Sequence, residues 1–384
     1  MILTGAPILV VKLADIGDAV LSLPAIQAIR SAYPANRIDV LTTSVGAHVY
    51  RLSPAVDQVI TLEKHRFDRV RGLFSPRGAL ELGRLSVRLR TAGYGAVILL
   101  HHLTTSFGAL KFRELARVTG APVRVGLDNG RGSFLTHRAI DYGFGALPEW
   151  QYGLRVVEEI GAASTGGPPV LDIPSGSAAA AERLLDTSGV ENGYAVLHTE
   201  VGEFSPARSW HHDRFAEVAH TIVEQAGRSV LLVGTERDSI SGSPLMNVSG
   251  VVNLLGMTDF AELCAIVAGA DLVVGCDSAV AHLAGAFGCP GIALFGPTNV
   301  DAWKPYGADV TVRETEDVPS GPLIALHSGI PCSPCIYTGY RLGRPGGCPA
   351  RTCMSSLDAG TVSRIALRIL EDRSVTNNHD NRTG

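Results

Sequence analysis

The chain of 384 residues has no run of the roughly 18 consecutive apolar residues that a membrane-spanning helix needs, so no segment is a candidate for one. Its apolar start, Met1 to Leu13, lacks a basic n-region, and Lys12 and Asp15 interrupt it at once. That pattern predicts a first buried strand rather than a signal peptide. A cytoplasmic location is expected, open to peripheral contact with the inner membrane face. Charge is sparse, at 18% of residues and a net −4, so no global positive field draws in polyanions, and nucleic acid is not an expected partner. No Gly-x-Gly-x-x-Gly occurs, so a dinucleotide fingerprint is absent.

Cysteine is uncommon, and its seven copies fall into two groups. Cys264, Cys276 and Cys289 sit in apolar periodic segments and are expected as small core residues. The others, Cys332-Ser-Pro-Cys335, Cys348 and Cys353, lie in a Gly- and Pro-rich stretch. Four thiolates at such spacings suit a structural zinc with no open catalytic position. Disulfides are disfavoured in a reducing cytosol, and unpaired thiols are the third reading.

What the chain does hold is apolar residue, 46% in all, enough for one or two sizeable cores. At roughly 100–200 residues per domain, two domains are expected. Strand-like runs at Ile8–Leu13, Ile38–Leu41, Gln58–Leu62 and Ala96–Leu100 alternate with helical patterns, as at Gly17–Tyr33, Leu80–Thr91 and Thr105–Thr119. The alternation fades between Tyr142 and Pro174, and Gly161–Pro169 is turn-prone. It then resumes at Tyr194–His198, His212–Ala226, Ser229–Val233, Asp271–Val274, Asp277–Phe287 and Gly291–Phe295. The expected class is therefore α/β, with two parallel sheets covered by helices. The domains are expected at 1–165 and 170–355, followed by a last helix over 356–373 and a disordered tail over 374–384.

In open α/β sheets ligands bind at the carboxyl ends of strands, so the loops after strands are where chemistry is expected. After the first strand comes Lys12-Leu-Ala-Asp15-Ile-Gly17-Asp18. Gly17 permits a sharp turn, and Asp18 then falls near a helix N-terminus, either as a capping carboxylate or as a reactive one. Gly275-Cys-Asp277-Ser278-Ala279-Val280-Ala281-His282 has the same placement. Free N–H groups and the helix dipole there favour a phosphate, and Ser278 and His282 share a helical face. The alternative is an ordinary cap with a buried, satisfied histidine. Phe295-Gly-Pro-Thr298 follows an adjacent strand, and His198-Thr199-Glu200 leads to Arg208, a permanent cation suited to a diphosphate.

In this order the segments resemble glycosyltransferase family nine, the heptosyltransferases that use adenosine-diphosphate-heptose. The opening ILVVKLADIGDAVLSLPAIQAIR and the later GCDSAVAHLAGAFGCPGIALFGPTNVDAWKPYG carry the resemblance. It implies a GT-B architecture: two Rossmann-like domains facing across a cleft, an acceptor domain first and a donor domain second, with the last helix packing back on the first. It implies that Asp18 is the catalytic base of an inverting transfer. It also implies that Thr199, Arg208, Asp277, Ser278, Ala279 and His282 bind the donor, with Glu236 at the donor ribose. Ala279 stands where the family usually has Gly, and Asp15 where it has a small residue. No Asp-x-Asp occurs, which fits a donor diphosphate neutralised by arginine and helix dipole, with no cofactor needed for catalysis.

The expected partners are a nucleotide-diphosphate sugar, ADP-heptose favoured, and a glycan or small-molecule acceptor such as a lipopolysaccharide core. Asp15, His101 and His102 are candidate acceptor contacts, and Lys64, Arg66, Arg69 and Arg71 form a basic stretch suited to an acidic acceptor or to bare solvation. Another sugar nucleotide, or a secondary-metabolite acceptor, is the alternative enzyme reading. A non-catalytic sugar-nucleotide-binding protein is the alternative of another class.

Overall fold

The computed structural model describes every residue except 1, 2, 4, 63–75, 165, 203, 239–242, 313–320 and 384. The basic stretch at 64–71 lies outside the described residues. The chain divides into two compact units, Met1–Asp172 and Ile173–Gly384, a few residues beyond the turn-prone stretch that marks the expected boundary.

The first unit alternates β1 (Ile8–Lys12), α1 (Ile16–Ala32), β2 (Ile38–Thr42), α2 (Ala47–Arg51), β3 (Gln58–Thr61), α3 (Pro76–Thr91), β4 (Ala96–Leu99), α4 (Ser106–Thr119), β5 (Val123–Asp128), β6 (His137–Ile140) and α5 (Glu149–Glu158). The sheet order is β3-β2-β1-β4-β5-β6, and every pairing is parallel. Central β1 is buried along its whole length, which is why its sequence is a continuous apolar run rather than an alternation. Leu9 and Val11 pack with Leu41, Val97 and Leu99 against Leu89 of α3 and Ala116 of α4. On α1 every residue from Ala19 to Ile26 is buried, and the helix continues through Pro24. Sequence reading sets Pro24 near the first turns. The structure has it mid-helix, where packing outweighs the roughly 3 kcal/mol that an interior proline costs. Helix α5 packs on α1, and a Cβ at Gly153 would sit 3.2 Å from that of Ala25.

The second unit runs α6 (Ser175–Thr187), β7 (Tyr194–His198), α7 (His212–Ala226), β8 (Ser229–Leu232), β9 (Val251–Asn253), α8 (Phe260–Ala268), β10 (Leu272–Cys276), α9 (Ala279–Phe287), β11 (Gly291–Phe295), α10 (Val300–Trp303), β12 (Asp309–Val312) and β13 (Leu323–His327). A hairpin, β14 (Ile336–Thr338) and β15 (Arg341–Gly343), precedes α11 (Thr352–Ser355) and α12 (Ala359–Thr383). The main sheet, β12-β13-β11-β10-β7-β8-β9, is again wholly parallel.

Two expectations concern the chain's end. Val362, Ile365, Ala366, Ile369 and Leu370 of α12 are buried in the second unit's own core, with Phe215, Val274 and Leu294, and α12 lies along α7. Sequence reading packs this helix on the first domain; the packing the structure describes is that of its apolar stripe in the core of its own unit. The helix also continues to Thr383, through the segment expected as a disordered tail. No Pro or Gly interrupts Thr361–Thr383, so nothing local stops it.

Candidate active site

Strand order reverses between β1 and β4 in the first sheet and between β10 and β7 in the second. Loops leave such a switch point in opposite directions and open a crevice at the strand ends. Both groups of sequence-expected site residues sit at these two places.

In the first unit, β1 ends on Lys12, whose stem is buried and whose ammonium lies 3.2 Å from Asp18 Oδ1. Asp18 sits in the first turn of α1, where the helix dipole favours a carboxylate, and it keeps 30% of its side chain exposed. Burial pushes this carboxyl above its ordinary value, Lys12 pulls it down, and Glu149 and Asp15 push it up, with a net rise. Asp15 is the exposed N-cap residue and makes no capping bond with its side chain. The like-charge neighbour expected beside Asp18 is thus present, but Glu149 acts on it more strongly.

His101 and His102 leave the end of β4, beside β1. His101 Nε2 accepts the Leu13 N–H at 2.7 Å, and its ring stacks on Phe112. His102 Nδ1 lies 3.0 Å from Asp141 Oδ1, and its Nε2 lies 2.9 Å from Glu149 Oε1; all three side chains are buried. Burial alone would lower the His102 pKa, but Glu149 and Asp141 raise it to about 9. Asp141 also accepts from Asn129 Nδ2 and from the Gly143 N–H, and its own pKa is lowered because His102 outweighs burial. The structure therefore brings both histidines to the strand ends, with His102 committed at each ring nitrogen to a carboxylate. Glu149 and Asp141 were missed by sequence reading. They stand 47 and 39 residues from His102, and nothing in their local sequence marks them.

In the second unit, β7 ends on His198 and is followed by buried Thr199, while β10 ends on Cys276 and is followed by Asp277 and Ser278. Arg208, in the short turn Pro206–Arg208, donates from Nη1 to the Asp277 carbonyl at 2.8 Å and reaches its Oδ2 at 3.4 Å. His282 Nε2 lies 3.7 Å from Asp277 Oδ1. Burial would raise the Asp277 pKa, but His282 and Arg208 hold it below the usual carboxylate value. The other His282 nitrogen, Nδ1, is buried with no hydrogen-bond partner among the described residues.

Ser278 is the N-cap of α9, yet its hydroxyl makes no capping bond. It lies 2.9 Å from His198 Nδ1 instead, so it does not occupy the first-turn N–H groups. Burial lowers the His198 pKa to about 4, which keeps the ring neutral. His198 packs closely on β10, where a Cβ at Gly275 would lie 3.0 Å from the His198 carbonyl oxygen. Ala279 is the first residue of α9 and is half-buried. Glu236 is exposed in the loop after β8, backed by Gly256. The structure thus gathers Arg208, Asp277, Ser278 and His282, and sets Thr199 at the adjoining strand end. The histidine of the His198-Thr-Glu segment, given no role by sequence reading, is the direct partner of Ser278.

The late cysteines lie beside this region: the Pro297 carbonyl accepts the N–H groups of Cys335 and Ile336, both at 2.9 Å. Cys332 and Cys348 are exposed, Cys335 is half-buried, Cys353 is buried, and all are free. Among the described residues no three or more His, Cys, Asp or Glu side chains form a group that could hold a metal ion. The four thiols of the expected zinc set lie near one another all the same: burial raises the proton affinity of both Cys335 and Cys353, and Cys348 and Cys332 raise it further. Among the described residues, too, no helix is long and apolar enough to cross a membrane.

Known proteins were compared with this chain. The lipopolysaccharide heptosyltransferase 3 of Escherichia coli (strain K12) is 26% identical over 308 residues, spanning 77% of this chain and 83% of that protein. A glycosyl transferase family 9 structure from Veillonella parvula superimposes with a TM-score of 0.73 at 19% identity, over 97% of this chain and 99% of that one. The E. coli heptosyltransferase WaaC, solved with ADP, gives 0.68 at 18% identity over 94% and 99%. These likenesses make the two parallel α/β units a GT-B fold. The family model for glycosyltransferase family 9 (heptosyltransferase) matches residues 82–322, well over half of the sequence, and the chain belongs to that family of transferases.

Proposed function

We propose that this enzyme moves a heptose from ADP-heptose to an acceptor hydroxyl, with inversion at the anomeric carbon and without a divalent metal at the donor. The reading is supported by what each unit holds at its own switch point: a half-exposed carboxylate, Asp18, in the first, and a cationic, N–H-bearing helix start, Arg208 and Ser278–Ala279, in the second. WaaC, with its ADP, supports an adenine nucleotide as donor.

In this reading Asp18 takes the proton of the acceptor hydroxyl as its oxygen bonds to the anomeric carbon. Its raised pKa makes it a better base while Lys12 keeps it ionised. The bond from that carbon to the diphosphate oxygen breaks, and its electron pair leaves with ADP. Arg208, the Ser278 hydroxyl and the first-turn N–H groups of α9 stabilise the charge that develops there. His198 orients the Ser278 hydroxyl. The acceptor is a cell-surface glycan such as a lipopolysaccharide core, and the reaction is cytoplasmic. The outward faces of α3 and α4 suit an acceptor at an anionic membrane surface. They expose Leu80, Val87, Phe107 and Leu110 among Arg84, Arg88, Lys111 and Arg117.

Thermal-shift titration with ADP, UDP and GDP, followed by mass-spectrometric assay with ADP-heptose, tests the reading. ADP alone should stabilise the protein, and Asp18→Asn should cut transfer by about 10³-fold with ADP binding unchanged. Preference for UDP or GDP, or transfer by Asp18→Asn, contradicts it.

A further inference from the structure

Asp18 does not stand alone with its lysine. Helices α1 and α5 pack closely where Gly153 meets Ala25, and Asp18 and Glu149 each lie in the first turn of their own helix. Lys12, the ion-pair partner of Asp18, lines a small cavity together with Glu149, His102 and Ser22. Behind Glu149 comes His102, and behind His102 comes Asp141, fixed in turn by Asn129 and Gly143. The row of charges is thus Asp141, His102, Glu149, Lys12, Asp18, alternating in sign once His102 carries two protons.

We propose that Asp141, His102 and Glu149 form a positioning triad that fixes the charge facing Asp18 and so sets the pH range in which Asp18 serves as base. The inference rests on the assignment of Asp18 as the base. A buried carboxylate at 149 by itself would disfavour a second carboxylate nearby. The imidazolium of His102, 2.9 Å from Glu149 Oε1, opposes that field, and Asp141 keeps the imidazolium charged. Phe144 and Tyr152 pack against the ring, with centroids 4.4 and 4.8 Å away, and Tyr152 is anchored by donating its hydroxyl to the Gly143 carbonyl at 2.7 Å. The elevated proton affinity of His102, about 9, agrees with this geometry.

The other charged or titratable groups facing Asp18 are few. Lys12 comes from β1, Asp15 from the N-cap of α1 and Glu149 from α5. Tyr50 comes from α2, its hydroxyl bonded to Ser22 Oγ at 2.8 Å and its pKa pushed up by burial, so it stays neutral. His101 accepts a backbone N–H and adds no charge in that state. Lys12 sets the attractive part of the field at Asp18, and the triad sets the opposing part that Glu149 supplies.

The test is the pH profile of kcat/KM for two nearly isosteric variants. Activity rises as Asp18 loses its proton, so the acid limb reports on Asp18. Glu149→Gln removes the triad's negative charge that acts on Asp18 and leaves His102 paired with Asp141 alone, and should move that limb down by about one pH unit. His102→Gln leaves the Glu149 charge unopposed and should move it up by a similar amount. Shifts of opposite sign support the triad. Equal loss of activity at every pH, or shifts of one sign, would mean that these residues only hold the fold, and would overturn it. Should either variant fold poorly, the unmodified enzyme gives a second reading: ¹³C-labelled histidine NMR should show His102 doubly protonated through pH 8, and titration near 6.5 would overturn the proposal. Transfer that survives in Asp18→Asn sinks the functional reading itself, an outcome distinct from all of these.

Discussion

At the residue scale His102 and His198 behave in opposite ways, because their neighbours differ. His102 meets two carboxylates and is held charged, whereas His198 meets a hydroxyl and is held neutral. The consequence for stability can be signed. The folded-state pKa of His102, about 9, lies above its unfolded value near 6.5. Its contribution is complete below pH 6.5 and is lost as pH rises through 9, on the order of 3 kcal/mol in all. His198, depressed to about 4, contributes fully above pH 6.5 and loses its contribution as pH falls toward 4. Denaturant melts across pH 4–10 should therefore show a maximum near pH 6–7. Replacing His102 by Gln should flatten the alkaline side alone, and an unchanged alkaline slope would refute the assignment.

The same scale shows what could be read from sequence. Asp18, Arg208, Asp277, Ser278 and His282 were legible because each follows a strand, at or near the start of a helical turn, where the chain direction fixes the ligand side. Glu149 and Asp141 were not, because their meaning depends on a contact that spans some 40 residues and leaves no local pattern. Glu149 looks like any acid in a first helical turn, a place where acids are common for dipole reasons alone.

At the scale of elements, the strands buried on both faces were the easy ones. The runs at β1, β4, β7, β8, β10 and β11 are continuously apolar, as parallel central strands must be. The missed strands are β5 and β6, which carry Arg124 and His137-Arg138, the edge strands β9 and β12 of the second sheet, the hairpin β14–β15, and β13, a short buried apolar run without that excuse. Edge positions tolerate polar residues, so the signal thins where burial does. Helix α12 was expected but its core partners were not, because its amphipathic stripe says that it packs and not upon what. Ile365 is 2% exposed in the second unit's core. Ile365→Ala should cost about 2–5 kcal/mol, lowering the melting temperature of the unit that contains Asp277. A loss under 1 kcal/mol in denaturant titration would contradict that placement.

At the scale of the molecule, one topology serves twice with no visible sequence repeat. The reversal of strand order, rather than any shared motif, places chemistry in each unit. Surface composition is uneven as well. Against a net charge of −4 for the chain, α3 and α4 carry Arg84, Arg88, Lys111, Arg113 and Arg117 near four exposed large apolar side chains. Co-sedimentation with vesicles rich in phosphatidylglycerol should retain the enzyme at low salt. Neutral phosphatidylcholine vesicles should not retain it, and Arg84→Gln with Lys111→Gln should weaken retention about thirtyfold, as roughly 1 kcal/mol per basic residue implies. Equal retention on both lipids would remove the case for this surface.

Because α12 completes the core of its own half, the junction at Asp172–Ile173 cuts between two self-sufficient hydrophobic interiors. A graft that replaces 173–384 with the matching portion of a relative specific for a different nucleotide should fold, adopt the newcomer's nucleotide and keep the original acceptor.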